Sequence, residues 1–156
     1  MHPVETSSMA ELVFVDTNVL IYARDRKSAD KREICRSWLA ELVQRQSARL
    51  NMQVLNEFTR WVLANEPARA LPDVRAEVDV LREWGDRAVD QEDQALAWKV
   101  RASLGYQWFD CLLLAAAENS GCRFFLTEDM ADRARFRSIT LINPFRASPS
   151  EIFQQH

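Results

Sequence analysis

Histidine is almost missing from this chain of 156 residues: it occurs only as His2 and His156, one near each end. A Ser-His-Asp or Cys-His catalytic arrangement is therefore nearly excluded, and so is a metal site built on imidazole ligands. The three cysteines, Cys35, Cys111 and Cys122, are odd in number and form no C-x-x-C pair. This favours reduced thiols packed in the interior over a disulfide or a zinc site. Any catalysis would have to rest on carboxylates.

Glycine and proline are also scarce, with 3 and 5 residues, which indicates a helix-rich architecture. The phosphate-binding patterns G-x-x-x-x-G-K-[ST] and G-x-G-x-x-G do not occur, so a dedicated nucleotide site is not expected. No apolar run approaches the roughly 18 residues of a membrane span, and residues 1–10 lack the apolar core of a signal peptide. We therefore expect a cytoplasmic protein.

The composition is that of an ordinary globular chain, with 47% hydrophobic and 28% charged residues. A chain of this length is expected to form one domain with a substantial core. We place that domain at residues 10–147, between a flexible N-terminal tail (residues 1–9) and a C-terminal tail (residues 148–156).

Apolar patterning predicts strands that alternate with helices. Short buried strands are expected at residues 12–15, 123–126 and 138–142, with a short strand or extended link at 49–51. The predicted helices cover residues 29–46, 53–65, 73–84, 91–104 and 108–119. The buried stripe of the first should consist of Ile34, Trp38 (or Leu39) and Leu42. This order is typical of an α/β fold in three layers, with a short central parallel sheet flanked by helices on both faces.

Carboxylates stand at three junctions of this pattern. Asp16 follows the first strand directly, at the edge of a parallel sheet where ligands bind. Asp129 follows the strand at 123–126 in the same way. Asp110 lies at the head of a helix that is apolar all round, on one face with Leu113 and Leu114. The alternatives are structural: Asp16 caps the next helix, Asp129 forms a turn or cap, and Asp110 favours the positive end of its helix.

Other acidic residues carry weaker signals. Glu57 lies at the edge of an apolar helix face and, taken alone, reads as a solvated side chain. Asp93 and Asp132 fall on predicted polar faces or in loops, and we expect them to be solvated as well.

Convergence of Asp16, Asp110 and Asp129 would itself indicate a function. Two like charges about 4 Å apart repel by about 4 kcal/mol at an effective dielectric near 20. Such a cluster takes up protons or holds a cation, and oxygen-only ligands suit Mg²⁺ or Mn²⁺. The predicted chemistry is metal-dependent hydrolysis of a phosphoester.

Five segments, in this order, resemble the motifs of PIN-domain ribonucleases, particularly the VapC-type toxins of bacterial toxin–antitoxin pairs. They span most of the chain and are residues 13–20 (VFVDTNVL), 56–58 (NEF), 108–117 (WFDCLLLAAA), 126–130 (LTEDM) and 142–145 (INPF). The resemblance implies a Mg²⁺- or Mn²⁺-dependent endoribonuclease that forms homodimers and is silenced by a small antitoxin protein.

The resemblance also implies roles for particular residues. The acidic quartet would be Asp16, Glu57, Asp110 and Asp129. Asp16 and Asp110 would be the principal metal ligands, Asp129 would bind directly or through water, and Glu57 would orient the attacking water or a second metal. The positions of Thr17, Asn18 and Thr127 match groups that hydrogen-bond the carboxylates.

A net charge of −3 and a pI near 5.5 are unusual for an RNA-binding protein. Two basic groups are expected near the carboxyl edge of the sheet, where they would hold RNA backbone or remain solvated. They are Arg24, Arg26, Lys27, Lys31 and Arg32, and Arg133, Arg135 and Arg137.

Two other functions stay open. One is a phosphatase of the haloacid-dehalogenase type, but that family has a second aspartate two residues after the first, where this chain has Asn18. The other is a non-catalytic PIN module that binds RNA or protein.

Overall fold

A five-stranded sheet with seven flanking helices makes up residues 11–153, the part of the chain that the computed structural model describes. The strands are β1 (Val13–Val15), β2 (Ala48–Arg49), β3 (Phe124–Leu126), β4 (Arg135–Phe136) and β5 (Ile139–Ile142). The helices are α1 (Thr17–Tyr22), α2 (Ala29–Gln44), α3 (Met52–Asn65), α4 (Leu71–Leu81), α5 (Gln91–Leu104), α6 (Trp108–Asn119) and α7 (Pro149–Phe153). The predicted α/β class is confirmed.

The strand order is β2-β1-β3-β5-β4, and all neighbours are parallel except the antiparallel pair β4 and β5. In this register Val15 pairs with Leu126, and Leu126 pairs with Ile142. The three central strands therefore end level with one another, so that Asp16 and Thr127 lie side by side at the same edge.

The sheet is buried because its strands are short and apolar. Val13, Phe14 and Val15 are at most 1% exposed, and the ring of Phe14 stacks on that of Phe125 with centroids 5.4 Å apart. Helix α6 has the predicted bounds and is buried from Cys111 to Ala117.

Sequence periodicity placed some helix boundaries and faces better than others. Helix α5 has the predicted bounds and ends at Gly105, which has a φ of 75°. In α2 the predicted inward position of Ile34 is wrong: Ile34 is 39% exposed, and Cys35 joins Trp38 and Leu42 in the core. Spacings of four residues drift by about 40° per step around a helix of 3.6 residues per turn.

Elements β4 and α7 were not predicted, because two-residue and five-residue segments carry little periodicity. Within the predicted C-terminal tail (148–156), the side chains of Ile152 and Phe153 are buried, and the guanidinium of Arg45 lies 4.1 Å from the Phe153 ring centroid. This part of the segment therefore packs on the domain. The predicted tail at residues 1–9 lies outside the described residues, and the domain bounds stay a prediction.

The three cysteines are free and buried, as predicted. In the described part of the chain, no helix has the length and apolar character needed to cross a membrane.

Candidate active site

Asp16 lies at the carboxyl end of β1 and is also the N-cap of α1. Its side chain is buried and accepts three hydrogen bonds. Oδ1 accepts from the Thr17 amide at 2.7 Å, and Oδ2 accepts from Thr127 Oγ1 at 2.7 Å and from Asn18 Nδ2 at 3.2 Å. The structural and functional interpretations of Asp16 are thus compatible, because one carboxylate caps a helix and occupies the sheet edge.

Asn18 connects Asp16 to Asp129. Its Nδ2 atom donates to Asp129 Oδ2 at 2.9 Å as well as to Asp16, and its Oδ1 accepts from the Glu128 amide at 3.3 Å. The amide of Asp129 in turn donates to Thr127 Oγ1 at 3.1 Å. The side chains of Asn18 and Thr127 therefore hold together two carboxylates that are distant in the sequence, those of Asp16 and Asp129.

Glu57 joins this group through Thr17, whose Oγ1 donates to Glu57 Oε1 at 2.5 Å. Gln53 Nε2 lies 3.2 Å from Glu57 Oε2 and 3.3 Å from the carbonyl oxygen of Phe109. Glu57 is therefore half-buried and held in place rather than freely solvated. Sequence reasoning missed Gln53, although its position four residues before Glu57 on one helix was a usable signal.

Asp110 lies in the first turn of α6, near the positive end of the helix. It is half-buried, and its side chain makes no hydrogen bond or ion pair within residues 11–153. Burial raises the pKa of Asp110, and the charges of Asp129 and Glu57 raise it further. The fourth carboxylate of the predicted quartet therefore lies within electrostatic reach of two others.

The raised pKa of Asp16 shows that its surroundings do little to compensate the negative charge of its carboxylate. Burial is the main cause that raises the pKa of Asp16 to about 7, and the charges of Asp110 and Asp129 add to it. The hydrogen bonds from Thr127 and Thr17 act in the opposite direction, and no lysine or arginine within residues 11–153 donates a hydrogen bond to this carboxylate. Binding of a proton or a cation would therefore reduce the electrostatic repulsion among these carboxylates.

The donors in this cluster are all oxygen atoms, which fits Mg²⁺ or Mn²⁺ by ligand chemistry. Within the described residues, however, no three acidic, histidine or cysteine side chains form a ready-made metal-binding group. The predicted ligand set of Asp16, Asp110 and Asp129 therefore stays a prediction.

Glu128 and Lys31, which lie next to this cluster, pair with each other and not with its carboxylates. Glu128 precedes Asp129 but accepts from Lys31 Nζ at 2.9 Å and from the hydroxyl of Tyr22. The pKa of Glu128 is held below its usual range by these two donors, against the effect of burial. Lys31 is thus engaged with a carboxylate that is not part of the quartet.

Comparison with known proteins independently supports the resemblance to PIN domains. A family model described as PIN domain matches residues 13–136, a range that includes all four carboxylates. A search of curated proteins finds no match.

Several solved structures are similar to this one, among them the following three. A chain of a toxin–antitoxin complex from Klebsiella pneumoniae matches with a TM-score of 0.60 and 13% identity, over 85% of this chain and 97% of its own. A chain of VapBC2 from Rickettsia felis, bound to a DNA fragment from its promoter, matches with a TM-score of 0.59 and 14% identity, over 85% of this chain and 98% of its own. Mycobacterium tuberculosis VapC20, a toxin that cleaves the sarcin–ricin loop, matches with a TM-score of 0.51 and 14% identity, over 72% of this chain and 86% of its own. At these identities the likeness shows a shared fold.

Proposed function

This chain belongs to the PIN-domain family, and from that premise we propose that it is a metal-dependent endoribonuclease, the toxin of a toxin–antitoxin pair. The observation that carries the proposal is the buried, uncompensated carboxylate of Asp16, which accepts no bond from a basic group and feels the charges of Asp110 and Asp129. A structural aspartate is usually paired with a basic side chain when buried. A carboxylate kept without such a partner favours a cation-binding role.

Asp16 and Asp110 are the proposed principal ligands of Mg²⁺ or Mn²⁺, and Asp129 binds directly or through water. Divalent-metal dependence is general among PIN nucleases, and a bound ion supplies water activation and neutralises the charge that develops on phosphorus. The three aspartates present the anionic oxygens for this purpose.

The other polar side chains of the site have positioning roles in this proposal. The side chains of Asn18 and Thr127 and the backbone amide of Thr17 orient the carboxylate of Asp16 through three hydrogen bonds to its oxygens. Glu57 orients the attacking water, and its own orientation is set by Thr17 and Gln53. Preorganised groups of this kind lower the cost of reaching the transition state.

The substrate and partners are inferred from the family and from the neighbours. One structural neighbour is a toxin that cleaves the sarcin–ricin loop, and two others come from a toxin–antitoxin complex and from VapBC2. We therefore propose RNA as the substrate, a cognate antitoxin as the partner, a homodimeric state and action in the cytoplasm.

Cleavage of RNA in the presence of Mg²⁺ or Mn²⁺ tests the proposal. We expect Asp16→Asn and Asp110→Asn each to lower kcat/KM by about 100-fold or more, since a metal-binding carboxylate contributes several kcal/mol. A chelator should abolish cleavage by the unaltered chain.

The matched control is Asp79→Asn, which removes an exposed carboxylate of α4 whose nearest ion-pair distance is 3.5 Å. This variant should cleave like the unaltered chain. Full activity of Asp16→Asn, or an unaltered chain that is inert with both metals, would contradict the proposal.

A further inference from the structure

A cavity of about 1010 Å³ lies between the segment that follows α1 and the carboxyl end of α3. Its lining includes six arginine or lysine side chains but only two carboxylates, those of Asp25 and Glu66. We call this cavity the basic pocket. Its charge contrasts with the net charge of −3 of the whole chain.

Two of the six cations are neutralised by their neighbours. Arg24 binds Glu66 through two parallel contacts, Nε to Oε2 at 2.7 Å and Nη2 to Oε1 at 2.8 Å, and also contacts Glu77. Arg69 Nη1 binds Glu77 Oε1 at 2.7 Å. These two arginines and two glutamates form a group with no net charge, of which Arg24, Glu66 and Arg69 line the pocket.

The other four cations, Arg26, Lys27, Arg32 and Arg36, form no ion pair with any residue in the range 11–153. Arg36 Nε donates to the carbonyl oxygen of Ala23 at 2.7 Å, and Arg32 Nη1 lies 3.5 Å from a backbone carbonyl. These contacts orient the guanidinium groups but leave their charges uncompensated. The pocket therefore carries more positive charge than its single remaining carboxylate, Asp25, can balance.

The basic pocket and the carboxylate cluster lie at opposite ends of α1. Thr17, at the amino end of α1, contacts Glu57 in the middle of α3, and Arg24, just beyond the carboxyl end of α1, contacts Glu66 at the end of α3. Glu57 and Glu66 are nine residues apart along the chain, which corresponds to about 14 Å of helix, a distance that a few nucleotides of an RNA strand would span.

We propose that the basic pocket binds the phosphodiester backbone of single-stranded RNA beside the scissile bond, an inference that rests on the proposed function. Arg26, Lys27 and Arg36 neutralise phosphates at the exposed rim, and the half-buried Arg32 does so deeper in the pocket. An acidic active site repels its own polyanionic substrate, and four unpaired cations nearby offset that repulsion. A polyanion that has to reach the carboxylate cluster fits this arrangement better than an acidic protein segment does.

The salt dependence of RNA binding tests the proposal directly. Arg26→Gln combined with Lys27→Gln removes two exposed side chains that make no side-chain contact, so the fold should be kept. Binding of a fluorescent single-stranded RNA to the full chain is measured in chelator, where no cleavage is expected. The plot of log K against log salt should become shallower by about 1.4, which corresponds to about 25-fold weaker binding at about 0.1 M salt. In the cleavage assay, KM should rise and kcat should stay unchanged.

A second double variant separates local contacts from total charge. Arg75→Gln with Lys99→Gln removes the same number of positive charges from exposed positions on α4 and α5, outside the pocket. This variant should keep the salt slope and the KM of the unaltered chain. Equal slopes for the two double variants would overturn the proposal.

The remaining outcomes distinguish this proposal from the one on which it rests. A chain that cuts RNA but keeps its KM and salt slope without Arg26 and Lys27 overturns only the pocket assignment. A chain that neither cuts nor binds RNA overturns the proposed function as well. Loss of binding to an acidic peptide, with an unchanged RNA salt slope, would assign the pocket to a protein partner and also overturn the proposal.

Discussion

At the scale of single residues, Asp16 shows how one side chain serves both the fold and the site. Its Oδ1 atom caps α1 through the Thr17 amide, and its Oδ2 atom accepts from Thr127 on the neighbouring strand. A carboxylate oxygen has more than one lone pair, so these bonds leave acceptor capacity for a cation. The helix cap therefore positions the proposed ligand.

Ionisation of Asp16 should oppose folding when no metal is bound. Burial raises its pKa from 3.8 to about 7, so the folded chain holds a proton that the unfolded chain releases at lower pH. This contribution to the free energy of unfolding is complete below about pH 4 and is lost as pH rises toward about 7. In chelator, Asp16→Asn should therefore lose less stability than the unaltered chain over this range.

Urea unfolding of the two chains at a series of pH values measures the difference. Titrating groups that do not interact with Asp16 contribute equally to both chains, so the difference reports Asp16 together with its coupling to Asp110 and Asp129. Asp79→Asn, which removes an exposed carboxylate, should follow the unaltered chain. Parallel pH profiles for Asp16→Asn and the unaltered chain would show that the burial of Asp16 has no effect on stability.

At the scale of elements, the hairpin of α5 and α6 presents Asp110 to the site. A capping box starts α5: the Asp93 amide donates to Asp90 Oδ1 at 2.9 Å, and the Asp90 amide donates to Asp93 Oδ2 at 3.2 Å. Asp93 Oδ1 also accepts from Arg87 at 3.0 Å and from Asn119 at the end of α6 at 2.9 Å. The expectation that Asp93 is solvated is wrong, because its side chain is 0% exposed and joins the two helices.

Removal of this carboxylate should destabilise the whole hairpin. We expect Asp93→Ala to lower the free energy of unfolding by about 2–4 kcal/mol, since a cap is lost and buried donors are left without an acceptor. Gln94→Ala, at the next and exposed position, should change it by about 0.5 kcal/mol or less. Denaturant titration compares the two, and similar midpoints would contradict the structural role of Asp93.

At the scale of the whole molecule, the net charge of −3 conceals a strong separation of charge. Carboxylates without basic partners lie near the amino end of α1, and unpaired cations lie beyond its carboxyl end. A local field of this kind acts over about a Debye length, roughly 8 Å at physiological salt. The low pI is therefore no argument against RNA binding at a particular surface.

A bound divalent ion should stabilise the folded chain, because the unfolded chain has no assembled cluster. At a metal concentration about 100 times Kd the gain is about 2.7 kcal/mol, which corresponds to a rise in Tm of about 5–10 °C for a chain of this size. Thermal unfolding with and without Mn²⁺ measures it. Asp16→Asn combined with Asp110→Asn should remove the shift, and an equal shift in that variant would place the ion elsewhere.

Much of the fold and of the candidate site could be read from local patterns. Helix α6 is predicted by an uninterrupted apolar run, and α5 by its periodicity and by Gly105 at its end. Asp16 and Asp129 are recognisable because each follows a buried strand, and parallel strands present their carboxyl ends at one edge. These signals are local in the chain, so the sequence by itself determined the fold class and the positions of the carboxylates.

The partners of those residues were decided only by the tertiary structure. No local pattern reports that Asn18 reaches Asp129, that Gln53 supports Glu57, or that Arg24 is neutralised while Arg26 is not. A residue's charge and helical face are properties of nearby sequence, whereas burial and pairing depend on segments that meet only when the chain folds. For that reason the sequence identified the acidic residues, and the fold determined which charged side chains are paired and which are left for the proposed metal and RNA.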